Sequence, residues 1–174
     1  VQRQYTGSAG KVTNCQLGVS LSLATPTRHL PVDFDLYLPR KWAETKKRRR
    51  EARIPDSVEF RTKPEIGLDL VRHAIEDDLP RGIVLGDTAY GNSSIFRMAL
   101  RSMGLDYALA VDSSTKCWCV DRLLRVKGDA RSVKEWALSI GPKKFKRITW
   151  REGTREALSA RFAFLRVVPS HDDG

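Results

Sequence analysis

An α/β fold built on a mixed sheet follows from three features of this 174-residue chain. Two neighbouring stretches alternate apolar and polar residues with period two, the mark of half-buried strands joined as an antiparallel hairpin. Two short apolar runs flank a helical pattern, which makes a βαβ unit and a parallel strand pair. A longer amphipathic stripe of helical period lies between the hairpin and that unit.

The elements follow in order. From Cys15 to Ala24, Cys15, Leu17, Val19, Leu21 and Leu23 face one way and Gln16, Gly18, Ser20 and Ser22 the other. Thr25-Pro26-Thr27 ends this strand. Val32, Phe34, Leu36 and Leu38 alternate with Asp33, Asp35 and Tyr37 in a second. The short connection makes the pair antiparallel. Residues 40–53 hold eight bases against Glu44 and Glu51. Such a run is either a solvated face or, beside nucleic acid, a phosphate clamp.

Thr62-Lys63-Pro64-Glu65 reads as a capped helix start, with Glu three residues after the Thr. Ile66, Leu70, Val71, Ala74 and Ile75 carry its stripe to about Leu79, where Pro80 stops it. Ile83, Val84 and Leu85 read as a fully buried strand. Asn92-Ser93 caps the next helix, with Ile95, Met98, Ala99 and Leu100 apolar and Gly104 closing it. Tyr107, Leu109 and Val111 form the parallel partner strand, ending at Asp112. Beyond it the pattern loosens. Short strands are expected over 123–126, 148–150 and 161–168, with a helix over 133–140 and an Arg/Glu-rich turn between the last two strands. Residues 122–151 carry ten bases against Asp129 and Glu135.

Asp87 is the residue to watch. It stands just past an apolar strand, in Gly86-Asp87-Thr88-Ala89-Tyr90-Gly91. In an α/β sheet that place opens on a crevice. A carboxylate there can hold a hard divalent ion such as Mg²⁺. It can equally cap the helix that follows.

Composition narrows the function. Lys plus Arg number 31 and Asp plus Glu 21, a net charge of +10 that suits a polyanionic partner, nucleic acid first. Three cysteines, Cys15, Cys117 and Cys119, without a CxxC argue against a disulfide framework or a zinc finger and for thiols in a reducing cytosol. No apolar run approaches the ~18 residues of a membrane span. His29, His73 and His171 lack partners at metal spacing and read as structural. Trp42, Trp118, Trp136 and Trp150 lie in or beside basic segments, where they fill small cores or stack unpaired bases. The opening on Val1 and the ending Ser170-His171-Asp172-Asp173-Gly174 read as those of a fragment.

Several motifs, in this order, resemble one family. Residues Tyr5-Thr6-Gly7-Ser8-Ala9-Gly10-Lys11-Val12-Thr13-Asn14-Cys15-Gln16 resemble the opening of the second strand in DDE-superfamily transposases of bacterial insertion sequences. Leu38-Pro39-Arg40-Lys41-Trp42 is similar to the segment after their third strand. Ile54-Pro55 and Phe60-Arg61-Thr62-Lys63-Pro64 resemble the lead into their next helix. Val84-Leu85-Gly86-Asp87-Thr88-Ala89-Tyr90-Gly91 looks like their second catalytic motif, and Ile148-Thr149-Trp150-Arg151-Glu152-Gly153-Thr154 like their strand-rich insert.

The resemblance implies a ribonuclease-H-like mixed sheet with flanking helices and a basic, strand-containing insertion, its first strand missing. The core would span 1–112 and the insertion 113–174. It implies DNA cleavage and joining, with three carboxylates holding two Mg²⁺ or Mn²⁺ ions ~3.5–4 Å apart. Asp87 would be the second carboxylate. The first is expected before Val1 and the third on a helix beyond Gly174, with Glu152 and Glu156 as weak substitutes in a turn, so this chain alone would be inactive. DNA contacts are expected from Lys46, Lys47, Arg48, Arg49 and Arg50 and from Lys143, Lys144, Lys146 and Arg147. The partners would be transposon ends and target DNA, with a homodimer in the intact enzyme, in the bacterial cytoplasm at the nucleoid. Two other readings stand beside it. One is a non-catalytic basic DNA-binding module or remnant. The other is a haloacid-dehalogenase-like phosphatase built on Asp33 and Asp35, which need to end a parallel strand for that chemistry.

Overall fold

The computed structural model describes residues 1–7, 9–121, 125–152 and 157–170. It is a mixed α/β chain of several small sheets that divides into two compact units, Val1–Ala110 and Val111–Gly174.

The first unit opens with a hairpin of β1 (Gln2–Thr6) and β2 (Lys11–Cys15). Apolar periodicity carries no sign of it, because Gln2, Arg3, Gln4 and Thr6 are polar. Cys15 accordingly closes β2 rather than opening the next strand. That strand, β3 (Leu17–Ala24), pairs antiparallel with β4 (His29–Tyr37), Leu17 opposite Tyr37 and Ala24 opposite His29. The faces of β4 differ from the expectation. Phe34 is 72% and Leu36 52% exposed, while Asp33, Asp35 and Tyr37 are half-buried. The reason is electrostatic: the face packed by the next long helix supplies cations. Arg61 pairs with Asp35, and with Asp69 at 2.9 Å; His73 meets Asp33 at 3.1 Å. Neither aspartate ends a parallel strand and both are paired, which removes the phosphatase reading.

Residues 40–53 fold into two short helices, α1 (Arg40–Glu44) and α2 (Lys46–Glu51). Then α3 (Lys63–Glu76) starts on the expected capping box: Thr62 Oγ1 accepts the Glu65 N–H at 3.3 Å, and the Glu65 carboxylate accepts the Thr62 N–H at 2.6 Å. The helix stops three residues before Leu79, where Asp78 takes a φ of +55°. Ile66, Leu68, Leu70 and Val71 are buried. Ile66 and Leu70 pack on Val19 of β3, while Leu68 and Val71 join Phe96, Leu100 and Leu105.

β5 (Val84–Gly86) pairs in parallel with β6 (Tyr107–Leu109), Val84 opposite Tyr107. Between them run α4 (Thr88–Gly91) and α5 (Ser94–Ser102), the latter capped by the Ser93 hydroxyl. The expected burial of Ile83 and Leu85 is not found: they are 65% and 72% exposed. The packed face of β5 is that of Val84, which meets the helical core, and among the described residues β5 pairs on one edge alone. Likewise Phe96, not Ile95 or Met98, turns inward from α5 beside Leu100. Gly91 lies against β6, where a Cβ would run into the Ala110 carbonyl oxygen. The segment after β5 therefore sits tight against the neighbouring strand.

In the second unit β7 (Lys116–Val120) pairs antiparallel with β8 (Val126–Ser132) and with β11 (Val167–Pro169). The Cys117-Trp118-Cys119 segment is thus a strand that the loosened sequence pattern hid. Of the strand expected over 123–126, residues 123 and 124 lie outside the described residues and Val126 opens β8. The expected helix is α6 (Val133–Ser139), capped by Ser132 and Glu135 as α3 is by Thr62 and Glu65. Trp136 Nε1 donates to the Cys117 carbonyl at 2.9 Å. A short 3-10 turn, Pro142–Lys144, leads into β9 (Lys146–Glu152), paired antiparallel with β10 (Ala157–Phe162). The strand expected over 161–168 is therefore two, β10 and β11. The Arg/Glu-rich turn that joins β9 and β10, Glu156 included, lies outside the described residues, as does His171. All three cysteines are free thiols, and burial pushes the Cys117 thiol above its ordinary pKa. Among the described residues no helix is long and apolar enough to cross a membrane.

Candidate active site and nucleic-acid contacts

Asp87 follows β5 directly, at the carboxyl edge of the parallel pair. The apolar strand carries the chain to this edge, and the tight turn of Thr88–Gly91 begins there. One carboxylate oxygen caps that turn, accepting the Ala89 N–H at 2.9 Å. The two readings of Asp87 are therefore not exclusive, because a carboxylate has a second oxygen and further lone pairs. The residue is exposed, and among the described residues no cation pairs with it. Its charge is felt by Tyr90: burial first, and the Asp87 carboxylate second, push the Tyr90 hydroxyl above its ordinary pKa. Tyr90 packs on Phe96 at 5.3 Å between ring centroids, which ties the turn to the helical core.

A cleft of about 400 Å³ lies in the same unit, lined by residues 20–24 of β3 and residues 81–85 leading through β5. Val71, Ala74 and Ile75 of α3 form its apolar floor. Among the described residues β3 pairs with β4 alone and β5 with β6 alone, so both strands turn an unpaired edge outward.

The nine bases expected at DNA fall in different settings. Lys46, Lys47, Arg48 and Arg50 are exposed on α2. Arg48 stands over the Trp42 ring at 5.7 Å, and Lys47 is 3.9 Å from Glu51. Arg49 differs: it is half-buried, and its guanidinium donates to the carbonyls of Ala43, Val58 and Pro55. In the second unit Lys143 and Lys144 lie on the 3-10 turn and Lys146 and Arg147 on β9, all exposed. Arg161 holds that turn to β10 by donating to the Pro142 carbonyl at 2.8 Å and the Phe145 carbonyl at 3.4 Å. Nothing in a run of bases marks which of them will turn back on its own backbone, so the roles of Arg49 and Arg161 were invisible to spacing alone. Trp150, 56% exposed, sits at the irregular step of the β9–β10 ladder and packs edge-on against Phe162 at 5.8 Å.

A family model described as DDE superfamily endonuclease matches residues 1–157. The chain belongs to this family. It is also 30% identical over 115 residues to a protein of Microchaete diplosiphon named "Probable transposase for insertion sequence element IS701". The match takes in 66% of this chain and 27% of the relative, so the chain spans well under half of that protein's length. No solved structure matches.

Endonucleases of this superfamily generally use divalent metal ions. Asp87 has the right chemistry for one ligand, a reachable hard oxygen. The described residues do not fit a complete site, because no group of three or more His, Cys, Asp or Glu is placed to share an ion among them. Glu152, expected in a turn, is the last residue of β9, and strand pairing with Ala157 fixes its backbone there.

Proposed function

We propose that this chain is part of the catalytic domain of an insertion-sequence DNA transposase, and that Asp87 is one of the carboxylates that hold its divalent metal. The observation that carries the reading is the Asp87 carboxylate: exposed at the end of a parallel strand, steadied through one oxygen by its own turn, with no cation among the described residues paired to it. A metal ligand must be fixed and still reachable, and this arrangement meets both needs. When bound, a pair of Mg²⁺ or Mn²⁺ ions would supply charge stabilisation to a phosphoryl displacement. What this chain contributes is one oriented carboxylate and cationic surfaces for the phosphate backbone.

The reading includes a ribonuclease-H-like core. The antiparallel pair β3–β4 and the parallel pair β5–β6 are two parts of such a sheet. The cleft between the unpaired edges of β3 and β5 has an apolar floor, where a further strand would complete it. With one carboxylate available, residues 1–174 alone do not cleave DNA, since a two-ion site draws ligands from several elements. DNA, as transposon ends and target, is the partner. Exposed bases of α2 and of the β9 hairpin meet phosphates, and binding falls with salt as counterions are released. The intact enzyme works as a homodimer in the bacterial cytoplasm, at the nucleoid.

The test is a supercoiled-plasmid nicking assay in Mg²⁺ and in Mn²⁺, on residues 1–174 and on a longer protein that contains them. The expected result is no nicking by residues 1–174, and nicking by the longer protein that Asp87→Asn abolishes. A longer protein that still cleaves with Asp87→Asn overturns the ligand role.

A further inference from the structure

The segment 40–58 is a surface of unusual construction. Five consecutive bases, Lys46 to Arg50, repel one another, and a six-residue helix is far below the length that holds itself in water. A basic run that only had to find phosphates would need no order. Here order is imposed from inside the run. Arg49 donates to the Ala43 carbonyl at 3.3 Å, the Val58 carbonyl at 2.8 Å and the Pro55 carbonyl at 2.5 Å. Its own carbonyl accepts the Ile54 N–H at 2.9 Å. One guanidinium thus joins α1 to the chain that leaves α2 through three backbone carbonyls, of which Pro55's also accepts the Val58 N–H at 3.1 Å. On either side, Arg40 lies 4.3 Å over the Phe60 ring and Arg48 stands over Trp42.

Helical geometry then sorts the remaining bases. At about 100° per residue, Lys46, Lys47 and Arg50 fall within about 100° of one another, while Arg48 points to the other side, over Trp42. Lys46 and Arg50 have no partner among the described residues. The Lys47–Glu51 pair is long and strongly exposed, so it holds Lys47 weakly.

We infer that Arg49 is a positioning residue for polyanion binding and not a phosphate contact, and that the cations it presents to the phosphate backbone are Lys46, Lys47 and Arg50. The inference rests on the DNA-binding reading of this segment. The arginine is needed for its planar fork, which reaches several acceptors at once. A lysine keeps the charge and loses that geometry. Freezing the segment before it meets DNA spares the ordering cost that a flexible basic tail incurs on binding.

The experiment uses residues 1–174, a random-sequence DNA duplex and fluorescence anisotropy over a salt series, with amide hydrogen exchange across 42–58 in the absence of DNA. Arg49→Lys and Arg49→Gln should each weaken binding about tenfold, the size of reordering freed side chains. Both should raise exchange across the segment. The double variant Lys46→Gln/Arg50→Gln should leave exchange unchanged and reduce the salt slope by roughly two, near 0.9 for each phosphate no longer neutralised. Parent-like affinity and exchange in Arg49→Lys, with weaker binding only in Arg49→Gln, would show that charge alone matters and overturn the inference while the DNA reading stands. Unchanged affinity and slope in the double variant would remove the DNA reading of this segment and the inference with it. The exchange data would then report the fold of the segment separately.

Discussion

Of the ten buried apolar side chains among the described residues, eight lie in residues 1–110 and two, Cys117 and Val120, in residues 111–174. The first unit clasps α3 and α5 around Leu100, which is fully buried, and seats α3 on β3. The second relies on strand ladders, a capped seven-residue helix, the Trp136 bond to Cys117 and the Arg161 bonds to the 3-10 turn. The contrast teaches where rigidity is invested. The unit that carries Asp87 has a close-packed core beneath the site, and the unit that carries the basic hairpin has little apolar burial of its own.

The sharpest way to break this contrast is to cut into each core. Leu100→Ala should destabilise by roughly 2–5 kcal/mol, the usual cost of a cavity at a fully buried leucine. Val120→Ala should cost markedly less. Denaturant melts of both variants measure the difference, and equal losses would mean that the second unit is as tightly packed as the first. Next comes the close approach behind the site. Gly91→Ala places a methyl group against the Ala110 carbonyl and should cost about 1–3 kcal/mol, as overpacking does. A neutral result would show that the turn after Asp87 has room to move.

The two capping boxes allow a matched comparison. Thr62→Ala should cost about 1 kcal/mol of global stability, because α3 is part of the core. Ser132→Ala removes the same bonds from a helix without buried residues, so its effect should be confined to faster exchange within residues 133–139. A global loss from Ser132→Ala would tie α6 into a cooperative core.

A smaller effect is expected from pH. The bond to Asp33 is the main reason that the His73 ring has a raised pKa. A raised folded value means a contribution fully present below the ordinary histidine value, near 6.5, and lost as the pH climbs through the folded value. Stability of the parent should therefore decline as pH rises from about 6.5, and His73→Gln should flatten that part of the curve. An identical slope in the variant would show that the ring is indifferent to its partner. The smallest effect concerns Asp87. Asparagine caps helices as well as aspartate does, so Asp87→Asn should change stability by about a few tenths of a kcal/mol or less. Asp87→Ala should lose about 1 kcal/mol through the missing cap. A large loss in Asp87→Asn would mean that loss of cleavage could not be separated from loss of fold.

Much of this molecule was legible from local rules. Thr62 and Glu65 announced the start of α3, Ser93 that of α5, and alternation gave β3 paired with β4. The run ending at Gly86 and the strand at Tyr107 gave the parallel pair. Several motifs in one order, from Tyr5 to Thr154, pointed to the family. Each of these is local chemistry: a cap, a period, a turn. Other features answered to neighbours that the sequence pattern does not name. Phe34 and Leu36 alternate with polar residues, and Ile83 and Leu85 sit in an apolar run, as core residues should, yet all four stand exposed. Which face of a strand is covered depends on the side to which α3 and α5 are delivered. Asp33 and Asp35 became half-buried because Arg61 and His73 arrive over them. The hairpin β1–β2 left no apolar signature because most of its residues are polar. Arg49 is one base among five in the sequence and a hub for three carbonyls in the fold. The sequence by itself determined element type, helix ends and membership of the family, all set by nearest neighbours along the chain. Only the tertiary structure decided which faces are buried and which charges are held, because both depend on residues far apart in sequence meeting in space.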